Sequence, residues 1–509
     1  MDDSFSNPLD LSASGSPPAG CHRPCHLPQD LGYPIPDDPH AISVCLPTWK
    51  DVIGYEDGDP RVRQALRAGY PRFVLPPQLL AFHRQWTAAT DDSDVLAFAT
   101  PGAARRALDH VIAHGGMGER IIHNDIAVVR FADTGSRALG GQIWRYAGEG
   151  LSSRGVVACL AGKPVCSSAG DTARGEVAER IANWHGVPAA AVFLFASGMA
   201  AVATVHRFLC SQHAGAGTVQ IDFPYVDVSH VQKFLGCASN IAMSAREAGD
   251  GALAEAFVDG FTAGVFCEVP ANPLLECADL PMISAICRSA GVPVVADDTV
   301  ASVANVALLP HADFVTTSLS KWFNGRCNLL AGAVIANPAS PLAEAFAVWL
   351  ASEDPAIPGD ADAAELAVNS RGFEQRMRLV NDNGHVVATM LRAHPMVDRV
   401  CYPSLRDDHP YARVVRPGGG TGGLISFTLH GGEPAAERFY DAVALDKGPS
   451  LGADFSMLCP YTLLAHYEEL DHAQAWGVPR DLIRLSVGTE PSRQLAEILT
   501  EGLRHVPGR

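Results

Sequence analysis

Five short stretches hold residue types that could act together. Ser318-Leu319-Ser320-Lys321 places an amine beside two hydroxyls, directly after the apolar run Ala312–Thr317. Asp297-Asp298-Thr299 puts a carboxylate at the end of the run Val292–Ala296. Ser197-Gly198-Met199-Ala200-Ala201 reads as a turn opening a helix, where free amide N–H groups suit an anion. Glu268-Val269-Pro270-Ala271-Asn272-Pro273 is a further strand-end loop with an amide side chain, Asn272. Arg484 sits inside the apolar stretch Leu482–Gly488, where a buried guanidinium demands an anion.

Each has a bland reading: a surface lysine in a serine-rich turn, an Asp capping a turn, a proline-shaped loop, an internal ion pair. The order of all five points to pyridoxal 5'-phosphate (PLP) chemistry. That cofactor needs a lysine for its aldehyde and an acid for its ring nitrogen. It also needs a helix start with hydroxyls for its phosphate. Lys321 is read as the Schiff-base lysine and Asp297 as the acid. Gly198, Met199, Ser318 and Ser320 are read as phosphate holders. Asn272 is placed at the phenolic oxygen, and Arg484 at a substrate carboxylate.

These residues must be positioned by alternating strands and helices. Ala263–Glu268, Val292–Ala296 and Ala312–Thr317 are strand-like, with helical patterns over Ala252–Asp259 and Pro281–Ala290. That alternation predicts α/β architecture with a mostly parallel sheet, its ligand beyond the carboxyl ends of the strands. Upstream, Asp94–Ala99 and Asp125–Phe131 read as strands and Pro101–His114 as a helix. Downstream, a helix running through Asn369–Asn383 precedes a smaller α+β region. That region begins with a further helix near Val387 and has strands at Gly423–Leu429 and Leu482–Val487. The expected organisation is a mobile leader (1–40), an N-terminal extension (41–165), a cofactor-binding large domain (166–386) and a C-terminal small domain (387–509).

The chain of 509 residues carries a net charge of −18, which argues against nucleic acid or an anionic membrane as main partner. Its 13 cysteines are scattered without a C-x-x-C, so reduced thiols in a cytoplasmic protein are expected. Cys21-His22-Arg23-Pro24-Cys25-His26 has zinc-like residue types but no second pair to close a site, and no metal is expected. Ile181–His206 lacks Asp, Glu, Lys and Arg, yet turn signals at Gly186-Val187-Pro188 and Ser197-Gly198 divide it, so a buried strand and a helix are expected rather than a membrane span.

Taken together, the motifs resemble the Cys/Met-metabolism PLP-dependent enzymes over roughly residues 150–505, and the long, fungal-type cystathionine γ-synthase branch over nearly the whole chain. The branch features are Cys45-Leu46-Pro47-Thr48-Trp49, Gly69-Tyr70-Pro71-Arg72-Phe73, Gly148-x-Gly150-x-Ser152-Ser153-Arg154 and Leu464-Ala465-His466-Tyr467-x-Glu469-Leu470. The resemblance implies a fold-type I transferase, assembled as a homodimer or homotetramer with sites built between subunits. It implies γ-replacement on an O-acyl-L-homoserine by a thiol or a stabilised carbon nucleophile, with a β- or γ-lyase as the rival and an inactive binding protein behind it. It further implies that Tyr225 stacks on the cofactor and takes part in catalysis, that Thr299 accompanies Asp297, and that Ser450 stands beside Arg484. The family's usual Tyr-x-Arg, donated across the dimer to the phosphate, has its nearest equivalent in Ser152-Ser153-Arg154, which leaves Arg154 as the phosphate contact.

Overall fold

The computed structural model describes residues 22–86, 94–213, 215–236, 240–257 and 262–506. Three sheets organise them. The first holds β1 (Val95–Phe98), β2 (Gly118–His123) and β3 (Ile126–Phe131) in the order β1-β3-β2, antiparallel throughout. The helices Pro101–Ala113 and Thr134–Ala147 accompany it. Strand β2 was not expected from sequence. None of its residues, GERIIH, is buried, so it shows no apolar run and is held by its ladder to β3.

The second sheet contains β4 (Val192–Phe195), β5 (Gly217–Ile221), β6 (Asn240–Met243), β7 (Thr262–Glu268), β8 (Val294–Asp297), β9 (Phe314–Ser318) and β10 (Gly332–Ala336). Its order is β4-β10-β9-β8-β7-β5-β6. Strands β6, β5, β7, β8 and β9 run parallel, and β10 is inserted antiparallel between β9 and β4. Every residue of β5 and β10 is buried, as expected for strands covered on both faces. The register aligns Glu268 with Asp297 and Asp297 with Thr316, so the polar strand ends gather along one edge.

The third sheet comprises β11 (Val397–Cys401), β12 (Leu424–Leu429), β13 (Asp446–Lys447), β14 (Met457–Pro460) and β15 (Ile483–Ser486), in the order β11-β12-β15-β14-β13. The helix Phe373–Ala393 packs on β11 and on the helix Ser492–Leu503. It runs unbroken through Asn383-Gly384, where two separate helices were expected, and crosses the boundary drawn at residue 386. The reason is packing. A Cβ on Gly384 would lie 2.4 Å from the Gly422 carbonyl oxygen, so the glycine serves a close approach rather than a break.

Two other expectations change. Residues 22–40 are not a loose leader: Ile35 is fully buried, His22 Nε2 lies 2.6 Å from Asp446, and the Cys25 amide donates to the same carboxylate at 2.8 Å. These polar contacts order a segment that has no hydrophobic period. Cys21 lies outside the described residues. Cys210, expected to be reduced, is disulfide-bonded. The helical pattern at Ala252–Asp259 shrinks to Leu253–Glu255, with residues 258 and 259 outside the described part. Among the described residues no helix is long and apolar enough to cross a membrane. The uncharged stretch at Ile181–His206 is divided among the helix Asp171–His185, β4 and the helix Gly198–Gln212.

Candidate active site

A cavity of roughly 1010 Å³ opens at the carboxyl ends of β7, β8 and β9. Lys321 follows β9 and lines it, its Nζ donating to Ser450 Oγ at 3.3 Å. Gly452, in the same loop as Ser450, has a φ of +80°, and a Cβ there would meet Lys321 Cβ at 2.8 Å. Only glycine lets this loop lie against the lysine.

Asp297 ends β8 and lines the same cavity. Its carboxylate accepts from Thr316 Oγ1 at 2.7 Å and from the Thr299 amide at 2.9 Å. Thr299 Oγ1 in turn accepts from the Ser318 amide at 2.8 Å, which ties the ends of β8 and β9 together. No cation stands within ion-pair distance of Asp297 among the described residues. Burial therefore pushes the pKa of its carboxyl above the ordinary carboxylate value, against the lowering effect of the two threonines. Its neighbour Glu268 ends β7, where burial and the adjacent Asp297 push it up to about 8. Glu268 accepts from the amides of Tyr225 (2.6 Å) and Asn272 (3.3 Å), fixing both loops.

Arg484, on β15, presents the opposite imbalance. It is buried, and its donors meet only neutral oxygens: Asn272 Oδ1 at 3.3 Å, the Pro449 carbonyl at 2.7 Å and the Ser450 carbonyl at 3.3 Å. Its guanidinium stacks 4.6 Å from the centre of the Tyr461 ring, whose hydroxyl accepts from Asn272 Nδ2 at 2.9 Å. No carboxylate pairs with it among the described residues. One cavity thus holds a half-buried anion without a cation and a buried cation without an anion, an arrangement that is costly until something else completes it.

The helix Gly198–Gln212 begins at the cavity with Ser197 as its cap, the hydroxyl accepting from the Ala200 amide at 3.0 Å. Gly198 and Met199 both line the cavity, and a Cβ on Gly198 would come within 2.7 Å of Ser318 Cβ. Backbone amides and the Ser318 hydroxyl are thereby brought close, a suitable seat for an anion.

Two expected residues stand elsewhere. The Ser320 hydroxyl donates to the Ala331 carbonyl at 3.2 Å and accepts from the Ala331 amide at 2.9 Å. It is buried, does not line the cavity, and fastens the turn after β9 to the start of β10. Arg154 donates to the Asn328 carbonyl at 2.6 Å and lies 3.5 Å from Asp362, away from the cavity of its own chain.

The far wall combines the N-terminal extension with the start of the helix Val226–Phe234. Tyr225 caps the helix Val226–Phe234, and its hydroxyl accepts from Arg72 Nη2 at 2.8 Å. Arg72 also pairs with the fully buried Asp227, which Arg145 Nε reaches at 3.0 Å. Burial pushes Asp227 up, but Arg72, His230 and Arg145 hold it down, to about 2. Tyr70 places its ring 4.7 Å from Lys321 Nζ. The functional reading of the sequence assigned nothing to Tyr70, Arg72, Arg145 or Asp227. Asp227, one residue into a helix beginning Tyr225-Val226, was the available signal, since a carboxylate on a buried face requires a cation.

A model for the Cys/Met metabolism PLP-dependent enzymes matches residues 167–504. The chain belongs to that family. It is a PLP-dependent enzyme of the cystathionine γ-synthase-like group. A cystathionine gamma-synthase of Neurospora crassa is 30% identical over 94% of this chain and 98% of its own. An L-2-amino-4-chloropent-4-enoate dechlorinase/desaturase of Streptantibioticus cattleyicolor is also 30% identical, over 92% of this chain and 97% of its own. Among solved structures, the cystathionine gamma-lyase CalE6 of Micromonospora echinospora aligns with a TM-score of 0.57 and 28% identity, over 64% of this chain and 84% of that one.

Proposed function

We propose that this family member catalyses γ-replacement on an O-acyl-L-homoserine. The observation that carries the reading is the pair of unmet charges, Asp297 and Arg484, on either side of Lys321. Together they complement a protonated pyridine ring and an amino-acid carboxylate. The residues fit PLP in detail. Lys321 supplies the amine for its aldehyde, and Asp297 the anion for its ring nitrogen. Gly198, Met199 and Ser318 supply the phosphate seat, and Tyr225 a flat partner for the ring. Bound there, PLP acts as an electron sink for charge developing on the substrate carbons.

The chain's own groups do the remaining work. Arg484 holds the substrate carboxylate through its fork, in place of the neutral oxygens it now meets. Lys321, 3.3 Å from Ser450 Oγ, takes one proton from Cα and one from Cβ before the leaving group departs and returns both to those carbons after the new bond forms. The Cγ–O bond breaks and the acyl group leaves as a carboxylate with the bonding electrons. A Cγ–S bond then forms to the incoming thiol, whose proton is released to solvent. Full-length relatives with the synthase name support replacement over elimination. The lyase and dechlorinase/desaturase relatives support elimination as the second reading. We place the protein in the cytoplasm on its scattered cysteines, and as a homo-oligomer following the family resemblance.

The experiment is product analysis with purified holoenzyme, O-acetyl-L-homoserine and L-cysteine. Cystathionine with acetate is expected. Release of 2-oxobutanoate and ammonia, unaffected by cysteine, would replace synthase by lyase.

A further inference from the structure

The chain that leads into Ser450 is held from outside the cavity. It runs through β13 (Asp446–Lys447), the edge strand of the third sheet, which pairs on one side with β14. An edge strand presents unpaired N–H and C=O groups on its other side. Here residues 22–47 satisfy them. The Lys447 amide donates to the Cys25 carbonyl at 3.2 Å, and the Leu46 amide donates to the Lys447 carbonyl at 2.9 Å.

Side chains reinforce the edge. Asp446 is 1% exposed, and its carboxylate accepts from His22 Nε2 at 2.6 Å and from the Cys25 amide at 2.8 Å. Burial works against a charge on His22, yet Asp446 outweighs it and the pKa of the ring is raised. The ring also stacks on Phe455, with centres 4.3 Å apart. Lys447 is fully buried, and its Nζ donates to the carbonyls of Pro47 at 2.9 Å, Asp441 at 3.0 Å and His26 at 3.4 Å. Two of those three carbonyls belong to the N-terminal segment.

At Gly448 the two chains meet. A Cβ there would lie 2.6 Å from Ser43 Oγ and 3.0 Å from the Val44 carbonyl oxygen, so the close approach requires glycine. The next two residues, Pro449 and Ser450, give their carbonyls to Arg484, and Ser450 Oγ receives the Lys321 amine. A single residue thus separates the clamped strand from the loop that serves both groups. His22, Asp446 and Lys447 do not line the cavity, so any effect they have on it passes through that loop.

We propose that residues 22–47 are a strap that fixes the loop Pro449–Gly452, and that His22 and Asp446 are positioning residues for Lys321 and Arg484. This goes beyond the γ-replacement reading. It needs Lys321 and Arg484 to act on the substrate, and it holds whether replacement or elimination follows.

The test follows acetate release from O-acetyl-L-homoserine, a step that replacement and elimination share. Rates are expressed per bound cofactor, so that unfolded enzyme cancels. His22→Ala removes the outer, part-exposed half of the contact and leaves the cavity lining intact. It should lower kcat and raise KM by about threefold each, because one loop serves both the amine and the guanidinium. Asp446→Asn should do the same. The double variant should be no worse than the worse single one, since both act through one contact. His22→Lys, which can still donate to Asp446, should recover part of the loss. Unchanged kcat and KM in both single variants, with only the melting temperature lowered, would make the segment a structural tie and overturn the proposal. A change confined to kcat or to KM would overturn the shared grip through the loop, and so would fully additive losses in the double variant. If the enzyme instead acts only on L-cystathionine, the γ-replacement reading falls. The same variants, read on 2-oxobutanoate release, then decide the strap.

Discussion

The two walls of the cavity treat charge in opposite ways. On the extension side Asp227 is met by Arg72, by Arg145 and, at 3.5 Å, by His230. On the sheet side Asp297 is met only by a hydroxyl and an amide, and Arg484 only by neutral oxygens. Two aspartates at this cavity, one lining it and one behind its wall, therefore differ in kind. Asp227 is completed by the protein and holds a wall in shape. Asp297 is left to be completed by what binds. Buried charge marks structure where its partner is internal and function where it is not.

The contrast can be broken at four points. The largest effect belongs to Lys321, the amine between the two unmet charges. Lys321→Ala should lower turnover of O-acetyl-L-homoserine by roughly three to four decades and abolish the visible absorbance of bound cofactor. A dialysed variant that keeps both would show that the amine is not the reacting group.

Next is Asp227→Asn. It leaves two guanidiniums facing each other, and should cost about 3–5 kcal/mol of stability even without cofactor. Asp227 is held below its unfolded value, so its stabilisation is present above about pH 3.8 and is lost as pH falls towards 2. Thermal melting of the apoprotein against pH measures both. An unchanged melting curve would remove Asp227 from the framework.

Arg484→Lys keeps the charge and loses the fork. It should lower kcat/KM for O-acetyl-L-homoserine by about one to two decades while PLP occupancy survives. Unaltered kinetics would make this arginine structural, like Arg72.

The smallest effect, and the sharpest in sign, is expected for Asp297→Asn. PLP should bind about tenfold more weakly for loss of one charge-assisted contact. The apoprotein should nonetheless melt slightly higher. The folded carboxyl lies above its unfolded value, so ionising it costs stability, increasingly as pH rises through the folded value. The variant should lack that decline. A lower melting point in the apoprotein would show that Asp297, too, has an internal partner.

The sheet side of this site was readable from sequence because geometry forces it. A parallel strand carries its chemistry at its carboxyl end, and Glu268, Asp297 and Ser318 stand at the ends of β7, β8 and β9. Ser320 shows the limit of the same rule. Two residues beyond Ser318 the chain has already turned, and its hydroxyl faces Ala331 rather than the cavity. The extension side was not readable. Tyr70, Arg72 and Phe73 lie in a turn without hydrophobic period, and what fixes them is Asp227, more than 150 residues away in the chain. The helix Phe373–Ala393 was misread for a related reason, since Gly384 answers to the approach of Gly422 and not to its own neighbours.

The loop Pro449–Gly452 touches both working groups at once. Ser450 Oγ receives the Lys321 amine, the Pro449 and Ser450 carbonyls receive the Arg484 guanidinium, and Gly452 lies against the lysine backbone. Four consecutive residues therefore tie the Lys321 amine to the Arg484 guanidinium. Substitutions there are pleiotropic: they cannot retune the chemistry without also retuning recognition. As the enzyme diversifies, this loop constrains the two traits to change together.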